Sequence, residues 1–141
     1  MDHVVYLNTK AKEFDKLITK TKSCIIRGGA GRKMPYGRVF KDDVLYFISN
    51  NGEGLVKAKA MVTDVYNSTK MTTEESIKLV DDNSDKLQLS ALQHKRWAGK
   101  KYLVLISIDN FKEIEPFKID KSNYGSMEDW LPVEDIERVK T

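Results

Sequence analysis

The sequence contains one cysteine, Cys24, and two widely separated histidines, His3 and His94, among 141 residues. One cysteine cannot form an internal disulfide, and these few residues do not have the spacing of a zinc site. No stretch approaches the roughly 18 consecutive apolar residues of a membrane span, and the N-terminus lacks the pattern of a signal peptide. We therefore expect a cytoplasmic protein with no metal, no cofactor and no membrane partner.

Residues that would form a catalytic set are also scarce. A nucleophilic triad needs a serine or cysteine within reach of a histidine. Cys24 lies in a predicted buried strand, where a small hydrophobic role is the simpler interpretation. Glu74 and Glu75 have the chemistry for acid–base work, but they stand in the first turn of a predicted helix, where a solvated acid is the simpler interpretation.

What the sequence does have is an uneven distribution of charge. The net charge is only +3. Seven cations and no acid lie between Lys20 and Lys41, whereas nine acids and three lysines lie between Asp109 and Glu137. This asymmetry is typical of a surface that binds a polyanion. The alternative is two solvated faces without a partner.

The pattern of apolar residues predicts a single α+β domain over residues 1–141. Strands are predicted over His3–Leu7, Ser23–Arg27, Val44–Ser49, Leu55–Tyr66 and Lys101–Ile108, with Phe111–Phe117 extending or pairing with the last. Helices are predicted over Lys10–Lys20, from Thr72 or Thr73, and over Asp85–Trp97. Residues 120–141 are expected to form an irregular acidic tail with a short helix. The Asn50–Gly54 turn joins two strands as a hairpin, which favours a mixed or antiparallel sheet curled into a small barrel with flanking helices.

Two segments have the composition of a binding surface. The loop Gly28–Gly37 combines four glycines with Arg32, Lys33 and Tyr36, so backbone and cations could both approach phosphates. It lacks the spacing of a P-loop. The segment Gln93–Tyr102 places cations beside Trp97, which is either a stacking surface for a base or a core anchor.

Residues 21–27 (TKSCIIR) resemble the G-x-K-T-[IV]-[ET]-x-R segment of ASCH domains, which belong to the PUA-like superfamily. Residues 41–47 (KDDVLYF) resemble the next ASCH segment, G-D-x-[LV]-x-[FV]. EVE domains of the same superfamily are a close second, because they also end a strand in a proline such as Pro116. The resemblance implies a PUA-like fold with a cleft between the first helix, the strand over residues 22–27 and the loop after it.

One ASCH branch hydrolyses the acetyl amide of N4-acetylcytidine with the motif lysine, a threonine three residues later and a glutamate. Lys22 matches the lysine, and Glu74 and Glu75 are the candidates for the glutamate. Ile25 occupies the place of the threonine and has no hydroxyl, which argues against the same reaction here.

The sequence therefore predicts a module that binds RNA or a modified nucleobase, with DNA as a possible ligand. The alternatives are a small amidohydrolase acting on an acylated nucleoside, with Lys22 and Glu74 as its catalytic residues, and an adaptor for a protein partner that the sequence does not identify. The predicted nucleic-acid-binding residues are Lys22, Arg27, Arg32, Lys33, Tyr36, Arg38, Asn50, Asn51, Gln93, Arg96, Trp97 and Trp130.

Overall fold

A computed structural model describes residues 1–122, 124 and 129–141. The described strands are β1 (Asp2–Leu7), β2 (Cys24–Gly29), β3 (Val44–Ser49), β4 (Leu55–Asn67), β5 (Tyr102–Lys118) and β6 (Trp130–Glu134). The described helices are α1 (Glu13–Ile18), α2 (Thr73–Asp82), α3 (Ser84–Leu87), α4 (Ala91–Trp97) and a 3-10 turn over Ile136–Arg138.

The strands form one mixed six-stranded sheet in the order β2-β5-β4-β3-β1-β6, curled into a half-barrel. Strands β1 and β3 are parallel, and the other neighbours are antiparallel. The long strands β4 and β5 contain register shifts, which bend the ladder and help the sheet to curl. The predicted α+β class, with a mixed sheet that curls and is flanked by helices, is confirmed.

Apolar side chains fill the inside of the curl and cover part of its outer face. Phe47, Ile25 and Ile106 belong to the inner core, which α1 closes through Leu17. Leu87 and Trp97 belong to a second cluster, in which α2, α3 and α4 pack on β2 and β5. The helices therefore lie beside the end of β2, where the sequence predicts the loop Gly28–Gly37, called the basic loop below.

Two predicted helices differ from the structure for local reasons. The first helix is shorter than expected, because Lys12 adopts a left-handed conformation with φ of 57° and α1 begins only at Glu13. The predicted helix over Asp85–Trp97 is two helices. Gln88, with φ of 48°, ends α3, and Ser90 then caps α4 in a capping box with Gln93.

Two strand predictions also need correction. Gly28 and Gly29, expected in a loop, continue β2 and pair with Leu103 and Tyr102. The expected irregular tail contains β6, which pairs with β1 despite Pro132. Because β6 is an edge strand, one missing N–H donor is tolerated. Within the predicted tail over residues 120–141, residues 123 and 125–128 lie outside the described residues.

Candidate nucleic-acid cleft

A cleft of about 860 Å³ opens where β1, β2, α1 and α4 meet. Its volume falls within the range of roughly 300–1,000 Å³ typical of small-molecule sites. The basic loop forms one wall and α4 forms another. The residues that line the cleft are Tyr6, Asn8, Glu13, Arg27, Gly28, Gly29, Ala30, Gly31, Lys33, Met34, Asn50, Gln93, Arg96, Trp97, Lys100, Lys121 and Asp129.

Gly28, in the wall of the cleft, lies where a larger residue would clash with strand β5. A Cβ atom placed there would lie 2.5 Å from the Tyr102 carbonyl oxygen and 2.6 Å from Leu103 Cδ2. A Cβ at Gly31 would meet nothing within 4 Å. Gly28 is thus required for the close pairing of β2 with β5, whereas Gly31 leaves the rim of the cleft open.

Arg27 lies deep in the cleft and joins opposite sides of the half-barrel. Its side chain is buried, and Nη2 donates a hydrogen bond of 2.9 Å to the Tyr6 carbonyl of β1. Its Nε lies 3.4 Å from Asp129 Oδ2, just before β6. Because β2 and β6 are the two edges of the sheet, the Arg27 guanidinium bridges the gap that the open sheet leaves.

Lys22 is buried directly behind the cleft and faces an acid, Glu13, that sequence reasoning missed. Its Nζ donates to the Leu87 carbonyl and lies 3.7 Å from Glu13 Oε2, and both side chains are almost fully buried. Burial lowers the pKa of Lys22 from 10.5 to about 8, and the Glu13 carboxylate opposes that change. Glu13 lines the cleft, whereas Lys22 does not.

A stacked cation and indole form part of the α4 wall. The Arg96 guanidinium carbon lies 4.3 Å from the Trp97 ring centroid, a cation–π distance. Trp97 is only 5% exposed and belongs to the cluster in which α2, α3 and α4 pack on β2 and β5. It is therefore chiefly a core residue, with one edge on the cleft. Arg96 Nη2 also lies 3.9 Å from Asp129 Oδ2. Asp129 therefore sits between Arg27 and Arg96.

Two amide side chains of the cleft are held by their oxygens. Asn50 Oδ1 accepts a 2.9 Å hydrogen bond from the Thr9 N–H, and Gln93 Oε1 accepts a 3.1 Å bond from the Ser90 N–H. These bonds fix each carboxamide so that the NH₂ group is the free end. In this arrangement both residues can offer donors to a ligand.

The structure brings together six of the twelve predicted binding residues. Those that line the cleft are Arg27, Lys33, Asn50, Gln93, Arg96 and Trp97. Those outside its lining are Lys22, Arg32, Tyr36, Arg38, Asn51 and Trp130.

Core packing and local aromatic contacts account for three residues outside the lining. Trp130 is 1% exposed, and its Nε1 donates to His3 Nδ1 at 3.1 Å, so it cannot present a stacking face. The Arg32 guanidinium carbon lies 5.6 Å from the ring of Tyr36 and 5.7 Å from that of Tyr102. Tyr36 donates its hydroxyl to the Ser68 carbonyl.

Glu74 is exposed in the first turn of α2 and does not line the cleft. The acid that the structure places against Lys22 is Glu13 instead. Ile25, at the family's threonine position, is fully buried in the inner core. The three positions of the hydrolase pattern therefore do not converge in this chain.

Sequence reasoning missed Tyr6, Asn8, Glu13, Lys121 and Asp129 as cleft residues. For Glu13 a signal was present, because it stands four residues before the core residue Leu17 on the same helix face. Asp129 and Lys121 carry no local pattern that assigns them to a site, since only the pairing of β6 with β1 brings that segment here.

The described ranges lack two further kinds of feature. No cluster of three or more metal-ligating side chains occurs there, and none of the helices there has the length and apolar character that a membrane span requires.

No protein-family model and no curated protein sequence matches the chain. Crystal structures of the ASCH protein of Zymomonas mobilis are similar in fold. One has a TM-score of 0.67 at 13% identity, covering 94% of this chain and 89% of that chain. A serine-to-alanine variant of that protein gives 0.69 at 12%, covering 97% and 92%. A tyrosine-to-phenylalanine variant gives 0.68 at 14%, covering 97% and 94%. At such low identity the likeness shows the fold alone: this chain has the fold of an ASCH domain, as its sequence predicted.

Proposed function

We propose that this chain with the ASCH fold binds single-stranded RNA, or a modified nucleobase carried by it, in the cleft between the basic loop and α4. The observation that carries the proposal is the composition of the cleft lining. Five cations, namely Arg27, Lys33, Arg96, Lys100 and Lys121, line one concave surface together with a stacked arginine–tryptophan pair. That combination suits a phosphodiester backbone with an unstacked base.

The acids of the cleft do not cancel its positive charge. Glu13 is held by Lys22 and by the Asn8 N–H, which donates to Glu13 Oε1 at 2.7 Å. Asp129 lies between Arg27 and Arg96 at 3.4 and 3.9 Å. Lys33, Lys100 and Lys121 are exposed at the rim, where they can reach phosphates.

A base has a planar partner in the Arg96–Trp97 stack. Because the indole is buried, the surface offered to the cleft is chiefly the guanidinium, and arginine planes stack on bases as aromatic rings do. The NH₂ groups of Asn50 and Gln93 are oriented to donate to base or sugar oxygens. A stacked, paired base cannot enter such a cleft, so a single strand is the expected ligand.

A second candidate function, hydrolysis of an acylated nucleoside, is favoured by one observation. The lowered pKa of Lys22, about 8, leaves a fraction of this amine neutral and nucleophilic near physiological pH. However, Lys22 is covered by Glu13, and Ile25 brings no hydroxyl. Release of cytidine from N4-acetylcytidine by the purified protein, and its loss in Lys22→Met, would support this candidate over pure binding.

The test of RNA binding compares two triple variants that remove the same charge. The cleft triple carries Lys33→Ala, Arg96→Ala and Lys100→Ala. The control triple carries Lys20→Ala, Arg38→Ala and Lys41→Ala, which are exposed cations of the basic run outside the cleft. Both triples replace two lysines and one arginine.

Fluorescence anisotropy with labelled single-stranded RNA and DNA of one sequence, at low salt, measures the affinity of each protein. We expect the cleft triple to lose at least about 10-fold in affinity for RNA, because each lost phosphate contact is worth about 0.5–1 kcal/mol or more. The control triple should lose less than about 3-fold. Equal losses would place binding on the general surface charge, and no binding by the unmodified protein would point to hydrolysis or to a protein partner.

A further inference from the structure

A second pocket of about 280 Å³ lies next to the cleft at the β3–β4 turn. Three residues, Tyr6, Asn50 and Lys121, line both spaces. The remaining residues of the second pocket are Ile48, Ser49, Gly52, Gly54 and Ile119. The two spaces are therefore adjacent and meet at the three shared residues, and together they are called the groove below.

The junction has an aromatic ring and a cation in direct contact. Lys121 Nζ lies 3.1 Å from the Tyr6 hydroxyl and 5.1 Å from the centroid of the Tyr6 ring. Tyr6 is half-buried at the end of β1, where the Arg27 guanidinium holds its backbone carbonyl. An aromatic ring beside an exposed ammonium offers one surface to a base and one charge to a phosphate.

The second pocket has an apolar floor and a polar edge. Ile48 and Ile119 supply the apolar atoms, whereas Ser49 and Asn50 supply hydrogen-bonding groups. At Gly52 and Gly54 a Cβ atom would meet nothing within 4 Å, so no side chain closes the rim on that side. A chain entering from the cleft can continue across this open rim.

We propose that the groove binds an RNA strand of at least two nucleotides, with the second nucleotide in the pocket at the β3–β4 turn. The first base lies against Arg96 and Trp97, the connecting phosphate lies at Lys121, and Tyr6 separates the two base positions. This assignment rests on the proposed RNA-binding function and extends it, because it names a second nucleotide position on the protein and the residues that form it.

The test measures dissociation constants for ribonucleoside 5′-monophosphates and for the ribodinucleotides built from them. Ser49→Phe fills the second pocket without altering a residue that lines the first. Ser107→Phe is the matched control, because it makes the same substitution at a half-buried strand serine outside both pockets. Circular dichroism is used to check that each variant is folded before its affinity is measured.

We expect the best dinucleotide to bind about 5- to 150-fold more tightly than its mononucleotide, the gain that one stacked base supplies. Ser49→Phe should reduce this gain to less than about 3-fold and leave mononucleotide affinity unchanged, whereas Ser107→Phe should retain the gain. If Ser49→Phe does not fold, Lys121→Ala should weaken the dinucleotide more than the mononucleotide.

Two results overturn the assignment in different ways. If mononucleotides bind and dinucleotides bind no more tightly, or if the gain survives in Ser49→Phe, the second pocket is not a nucleotide site and the proposed function still stands. If neither mononucleotides, dinucleotides nor longer single strands bind, the proposed RNA-binding function itself is wrong.

Discussion

Replacing the buried pair of Glu13 and Lys22 by neutral groups of similar shape should change how stability depends on alkaline pH. The double variant Glu13→Gln, Lys22→Met removes both charges. It keeps an oxygen that can accept from the Asn8 N–H, as Glu13 Oε1 does. Its purpose is to isolate the titration of one buried amine.

The magnitude follows from the pKa of Lys22, which burial lowers from 10.5 to about 8. Between these two values the unfolded chain binds a proton that the folded protein does not, so the free energy of unfolding rises with pH. Each pKa unit corresponds to about 1.4 kcal/mol, so the charged form costs roughly 3 kcal/mol below pH 8. Between pH 7 and pH 10 the native protein should gain about 2 to 3 kcal/mol relative to the double variant.

The assay is urea unfolding of both proteins at pH 7, 8, 9 and 10. The pKa of Cys24, raised by burial to about 11, and that of Tyr46, also raised by burial, make stability fall in the same alkaline range. The Tyr46 contribution cancels in the difference. That of Cys24 does not fully cancel, because Lys22 itself lowers the pKa of Cys24, so both proteins are compared in a Cys24→Ala background. A difference that stays constant from pH 7 to pH 10 would falsify the lowered pKa, and with it the basis for a nucleophilic Lys22.

Three further predictions concern the cleft wall, its acid and the buried histidine. Gly28→Ala should lower the free energy of unfolding by about 1–3 kcal/mol, because the added Cβ meets the β5 backbone. Gly31→Ala should change that free energy by less than about 0.5 kcal/mol. Equal effects of the two variants in urea titrations would contradict the steric argument. Asp129→Asn should raise affinity for single-stranded RNA about 2- to 5-fold, because the carboxylate no longer competes with phosphate for two arginines; unchanged or weaker binding in anisotropy would count against this competition. Burial lowers the pKa of His3, so the free energy of unfolding should fall as pH drops below 6.5. Protonation then places a second N–H donor opposite the Trp130 indole N–H. Urea midpoints, monitored by tryptophan fluorescence, that do not change between pH 7 and pH 5 would refute this prediction.

The strands were the most predictable part of the fold, because their patterns are local. Val44–Ser49 was predicted with the bounds that β3 has, and the Asn50–Gly54 turn joins β3 to β4 as expected. The prediction of which residues of α1 are buried was less accurate. The spacing of Phe14, Leu17 and Ile18 predicts that all three face the core, but Ile18 is 39% exposed and Glu13 is buried instead. Strand β6 depends on partners more than 120 residues away in the sequence, which no local pattern contains.

The candidate site was half predictable for the same reason. Arg27, Lys33 and Arg96 lie in segments whose composition already suggested a basic surface. Tyr6 and Asp129 reach the cleft only because the curled sheet brings β1 and the start of β6 beside β2. Local composition can indicate that a loop is basic, but the closure of the sheet decides which distant residues face it.

The measurement that tests RNA binding by the cleft most directly is the salt dependence of single-stranded RNA affinity. Three exposed lysines of the lining, Lys33, Lys100 and Lys121, are available to phosphates. At a slope of about −0.7 per phosphate, raising salt fourfold should weaken binding about 20-fold in the native protein and about 3-fold in the cleft triple, which keeps only Lys121. Equal slopes in the two proteins, or no binding to single-stranded RNA at low salt, would contradict the account.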